Sequence, residues 1–151
     1  PQLPLRALIL ALFAAFAALA APALADEPVF HGQDGVAIGG YDTVAFFEEG
    51  RPVQGRAAHA VMWKGVVWHF SSARNQEVFE SNPRAYAPSF GGYCAYAVSQ
   101  GYLASGSPVN WQIVDGRLYV LHDGAVHRMW QTAAPDLIAQ AMGNWPEVLR
   151  K

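Results

Sequence analysis

Trp111-Gln112-Ile113-Val114-Asp115-Gly116-Arg117-Leu118-Tyr119-Val120-Leu121-His122 reads as two β-prone runs joined by an Asp-Gly pair. Asp-Gly accepts the positive φ that a tight hairpin turn demands, so this stretch predicts a β-hairpin. A second hairpin is predicted between His59 and Ser71. There Val61 and Trp63 alternate before Lys64-Gly65, and Val66, Trp68 and Phe70 alternate after it. Helical sequence follows each hairpin. Ser71 or Ser72 is a good N-cap for a helix reaching about Ser81, with Val78 and Phe79 as its buried edge and Pro83 as its stop. Beyond His122 the chain reads as helical in two pieces, about 125–132 and 135–143, closing on Asn144-Trp145-Pro146. The sum is a small single α+β domain with two β-hairpins and helices packed over them. Two hairpin-then-helix units in succession suggest duplication, yet their residues match too poorly to claim a repeat.

The remaining segments are shorter. Residues 26–38 read as an extended lead-in, and Gly39-Gly40-Tyr41-Asp42 as a turn. Thr43-Val44-Ala45-Phe46-Phe47 reads as a short β-prone run ending at Glu48-Glu49-Gly50. Pro83 to Pro88 is a bracketed loop with Tyr86 as its anchor. Gly91-Gly92 opens a short helix from about Tyr93 to Gln100, stopped by Gly101, and residues 103–109 form a Ser/Gly/Pro loop.

The first residues carry an address. Arg6 precedes an uninterrupted apolar run, Ala7 to Leu19, followed by Pro22 and the small-x-small site Ala23-Leu24-Ala25. That order is the pattern of a secretory signal peptide over 1–25, with the cut after Ala25 and a periplasmic or secreted product. An uncleaved anchor is the alternative, since a spanning helix needs ~20 apolar residues. Pro22 and the Ala-Leu-Ala site favour cleavage, which would leave no stable membrane anchor. No cysteine follows the apolar run, so a lipid anchor is not supported.

The chain has 10 basic and 12 acidic residues, scattered singly, and no basic stripe of the kind nucleic acid requires. A lone cysteine cannot form a disulfide within the chain, so the fold must stand on its core. The 5 Trp, 6 Tyr and 8 Phe residues can supply one.

That cysteine, Cys94, stands directly after the glycine pair, where a helix start would favour its thiolate. One reading makes it a small buried hydrophobe. The other makes it a soft-metal ligand or a redox thiol. Thioether and thiolate donors suit copper(I), and His69, His59 and Met62 are the helpers the fold would have to bring to it. Copper(I) is expected before zinc(II). His69 falls on the strand face opposite Trp68 and Phe70, as an outward polar residue or as a ligand. His122 and His127 flank the turn Asp123-Gly124 and offer a weaker pair. No Cys-x-x-Cys, Ser-His-Asp set, phosphate-cradling glycine loop or metalloprotease helix occurs, so no catalytic residue is assigned.

Several stretches together resemble the YHS-domain family in its exported single-domain form. They are Gly40-Tyr41-Asp42-Thr43-Val44-Ala45-Phe46-Phe47, Trp68-His69-Phe70-Ser71-Ser72-Ala73, Tyr86-Ala87-Pro88, Gly91-Gly92-Tyr93-Cys94-Ala95-Tyr96-Ala97-Val98, Val114-Asp115-Gly116-Arg117-Leu118-Tyr119 and Asn144-Trp145-Pro146. The resemblance implies a YHS-like domain over 39–151 and a possible metal-binding role. The family's wider form carries cysteines near Asp42-Thr43 and around Ser71 to Asn75; this chain has Ser71, Ser72 and Asn75 there. The resemblance therefore implies fold and compartment but supplies no ligands.

The expected function is a non-catalytic binding or accessory protein, holding one copper or zinc ion through Cys94 if it holds a metal. An interaction module for another envelope protein, with Cys94 inert, is the first alternative. A small thiol-dependent enzyme or redox factor is the second.

Overall fold

A computed structural model of the chain describes residues 25–150, and three hairpins within them turn on residue pairs with positive φ. The first pairs β1 (Gly32–Gln33) with β2 (Val36–Ala37) through Asp34 and Gly35, at φ 52° and 79°. The second pairs β3 (Arg56–Trp63) with β4 (Val66–Phe70) through Lys64 and Gly65, at 54° and 83°. The third pairs β5 (Ser107–Val114) with β6 (Arg117–Leu121) through Asp115 and Gly116, at 50° and 75°. Positive φ at both central positions matches the twist of the flanking strands, and glycine carries the second at no steric cost. The two hairpins expected from the sequence are present. The third lies inside the lead-in, where two-residue strands are too short for alternation to show. The signal-peptide reading of 1–25 lies outside the described residues except at Ala25.

The architecture is α+β. One sheet runs β1-β2-β4-β3, with β2 parallel to β4 at Val36 and Val67; β5 and β6 form a separate two-stranded sheet. The long strands β3 and β5 each carry an irregularity, between Arg56 and Ala60 and between Ser107 and Trp111.

Thr43–Glu48 is a helix, α1, not the short strand that its composition suggests. Asp42 caps it: one carboxylate oxygen accepts from the backbone N–H of Val44 at 2.9 Å and of Ala45 at 3.2 Å. Thr43, Val44, Ala45 and Phe46 are all buried, so packing on every side decides the conformation over β propensity. α2 (Ala73–Ser81) starts as expected, with the Ser72 hydroxyl accepting from the N–H of Asn75 at 3.1 Å. Pro83 ends it and also begins α3 (Pro83–Tyr86), a helix where a loop was expected. Proline suits a first helical position because its missing N–H is not needed there. Tyr86 does anchor this segment, meeting Phe47 edge-on at 5.3 Å.

α4 (Ala95–Ser99) is shorter than the expected 93–100, with Cys94 at its N-cap and Gly101 beyond its end at φ 84°. α5 (Gly124–Asn144) breaks at Ala133, where φ is −146°, giving the two pieces the sequence implies. Pro135 lies two residues on, and its ring and absent N–H interrupt the regular ladder. The Asn144 amide reaches back and donates to the carbonyls of Val98 and Ser99, satisfying the end of α4.

β6 divides the core. Leu118 and Val120 face a cluster with Phe46, Trp68, Phe70 and Phe79; Tyr119 and Leu121 face another with Cys94, Val98, Trp130 and Leu137. Side chains alternate across a strand, so a strand buried on both faces is apolar throughout.

Candidate functional site

The residues expected to hold a metal divide between the two sheets. Cys94 is 1% exposed, bridges Val120 of β6 in parallel, and sits in the apolar cluster of Val98, Tyr119 and Trp130. Met62 and His69 share the outer face of the other sheet, because Met62 pairs with Val67 and His69 with Ala60. Met62 is 69% exposed there. His69 faces away from buried Trp68 and Phe70, as expected, and lines a cavity of about 320 Å³ with Gln54, Asp34 and Gly40. His59 is half-buried beside the β3 irregularity, its Nε2 3.4 Å from the Arg56 guanidinium. The fold thus puts Met62 and His69 on one face of a sheet and leaves Cys94 behind β6. Among the described residues no three His, Cys, Asp or Glu side chains gather as a metal set. His122 is tied instead to Ser105, with Nδ1 2.9 Å from its carbonyl oxygen.

Asp42 and Ser71 meet Asn75 in a second cluster, which is fully bonded. The second carboxylate oxygen of Asp42 accepts from the Ser71 N–H at 2.8 Å, the Ser71 hydroxyl at 2.7 Å and the Asn75 amide at 2.8 Å. With its two helix contacts the buried carboxylate takes five hydrogen bonds, which answers its charge without a cation. Ser71 and Asn75 occupy places that the YHS resemblance would give to cysteines. Here they are donors to Asp42, a structural junction of α1, β4 and α2.

A third region is open. The lead-in crosses the domain at residues 27–31, held by the Glu27 N–H on the Leu149 carbonyl at 2.9 Å and the His31 N–H on the Gly91 carbonyl at 2.8 Å. The Tyr93 hydroxyl donates to the Pro28 carbonyl at 2.7 Å. At Gly91, φ is 65° and a Cβ would run into the carbonyl oxygen of Val29, so only glycine fits beneath this strap. His31 packs on Tyr93 with ring centroids 5.1 Å apart and the planes tilted by 48°. Burial lowers the His31 pKa and raises that of Tyr93, while Glu27 pulls His31 the other way.

The strap forms one wall of a groove of about 410 Å³. Phe30 stands in it against Trp63, with ring centroids 5.2 Å apart. Phe90 and Trp145 form another wall, 5.9 Å apart and edge-on. Phe90 adopts φ 54° and ψ 35°, a left-handed conformation that disfavours a bulky side chain. Arg84 of α3 and Arg117 of β6 line the same groove, and no acidic residue does. Both arginines are exposed, and the ion pairs among the described residues are Arg51–Glu49 and Arg150–Glu147. Arg84, Ala87 and Arg117 also line an adjoining cavity of about 230 Å³ that contains Asp115. The sequence reading passes over Arg84 and Arg117 because each is a single charge, one in the Pro83–Pro88 loop and one at the start of a β-prone run; only the fold puts both on one groove. The positive φ at Phe90 carries no local signal either.

No protein-family model, curated protein or solved structure matches this chain.

Proposed function

We propose that the chain is an exported, non-catalytic binding domain of the YHS-like kind, and that its ligand seat is the groove between the 27–31 strap, Trp63 and Trp145. The observation that carries this reading is the pair Arg84 and Arg117, outside the ion pairs of the described residues, on a groove of about 410 Å³ that Phe30, Trp63 and Trp145 also line. That volume falls in the range of small-molecule sites, which are apolar clefts with a few placed polar groups. Cys94 is read as a core residue, since a metal there would need donors that the fold holds on another sheet.

Thermal shift of the purified protein with a panel of small aromatic compounds tests the reading, run beside Ser89→Trp. Ser89 is half-buried and lines the groove, so the indole would plug it. Compounds that raise the melting temperature of the wild type and not of the plugged variant support the seat. Compounds that stabilise both equally, or none at all, overturn it.

A further inference from the structure

We infer that the groove takes a flat apolar ring system bearing one oxyanion, a carboxylate or phosphate ester, with the ring on the aromatic wall and the anion on Arg84 and Arg117. This rests on the groove being the ligand seat. Two observations specify the ligand. The first is charge: the larger cavity is lined by two guanidinium groups and no carboxylate, so its charged partners are ones for an anion. Guanidinium is also the side chain whose planar fork matches a carboxylate or phosphate in two parallel hydrogen bonds. The second is shape. Phe30, Trp63 and Trp145 are half-buried and give the groove partly exposed aromatic surface, and such surfaces favour offset or edge-on contact with another ring.

The adjoining cavity sets a limit. Arg84 and Arg117 mark where the two cavities meet, and Asp115 stands on the far side. A second negative group reaching past the arginines would face that carboxylate. One anion at the junction is therefore favoured over an extended polyanion, which also separates this ligand from a nucleic acid backbone.

Isothermal titration calorimetry at low salt tests this with 2-naphthoate, 2-naphthyl phosphate and neutral 2-naphthalenemethanol as probes. The wild-type protein is expected to bind at least one acid about tenfold or more tightly than the alcohol, the worth of one charge-assisted hydrogen bond. Arg84→Met and Arg117→Met are each expected to weaken the acid about tenfold and to leave the alcohol unchanged. Both side chains are exposed, so the variants should fold, and an unchanged melting temperature checks this. Whichever acid binds more tightly tells carboxylate from phosphate. If all three probes bind alike and Ser89→Trp blocks them, the groove is the seat and the anion assignment fails. If none binds at millimolar concentration, both fail.

Discussion

The Ser71 hydroxyl donates to Asp42 at 2.7 Å across 29 residues of sequence, and this contact ties the start of α1 to the end of β4. Asp42 is fully buried, and its carboxylate is stable there because one oxygen is answered by two backbone N–H donors and the other by two N–H donors and the Ser71 hydroxyl.

Removing that carboxylate should therefore be far worse than removing one donor. Asp42→Ala leaves the N–H groups of Val44, Ala45 and Ser71 and the Asn75 amide without their acceptor. A loss of about 3–5 kcal/mol is expected by urea denaturation, against about 1–2 kcal/mol for Ser71→Ala. Equal losses would mean that Asp42 is not the hub of the junction.

The strap makes a separate prediction at Gly91. Gly65 and Gly91 both have positive φ, 83° and 65°, but nothing lies within 4 Å of a Cβ at Gly65. Gly65→Ala measures the backbone penalty alone, about 1–2 kcal/mol. Gly91→Ala adds the collision with Val29 and should cost clearly more, and it should expose the segment 27–31 to proteolysis. Matching losses with an intact strap would place Val29 elsewhere.

His31 gives the pH dependence. Its pKa in the folded protein lies below the ordinary 6.5, chiefly because burial disfavours the imidazolium, with Glu27 and the Tyr93 ring as its neighbours. The unfolded chain therefore takes up the proton first. Stability should be unaffected by this group above about pH 6.5 and should fall as the pH drops below it. His31→Gln should flatten the decline between pH 6.5 and the folded-state value in chemical denaturation curves. A wild type that gains stability on acidification through this range, with His31→Gln flat, would reverse the assignment.

Cys94 at 1% exposure should behave as core. Its thiol is expected to react with Ellman's reagent only once the protein is unfolded in urea. Cys94→Ser should cost about 1–3 kcal/mol by placing a hydroxyl among apolar side chains. A copper(I) competition titration should not distinguish the wild type from Cys94→Ser. Tight one-to-one binding abolished by the substitution would instead make Cys94 a metal ligand.

Local chemistry was the legible part of this fold. Lys64-Gly65 and Asp115-Gly116 announce their turns because the dihedral requirement falls on the two residues themselves, and Ser72 announces α2 in the same way. Thr43 to Phe47 misleads, since its β-prone composition is local while the burial that makes it helical comes from other segments. The glycine pair before Cys94 signals the helix start where it sits, but whether it is buried depends on β6 and α5 closing over it. The groove was illegible for the same reason. Phe30, Trp63, Arg84, Phe90, Arg117 and Trp145 come from five stretches of chain, each with an ordinary structural role of its own.

The most direct test of the groove is the indole N–H region of a proton–nitrogen NMR spectrum, recorded as 2-naphthoate is added. The chain has 5 tryptophans, and Trp63 and Trp145 line the groove while Trp130 is buried in the core behind β6. The account predicts progressive, saturable shifts of the Trp63 and Trp145 signals, with Trp130 and Trp111 still, and loss of those shifts in the Arg84→Met, Arg117→Met double variant. Shifts confined to Trp111 or Trp130, or none at saturating acid, would contradict it.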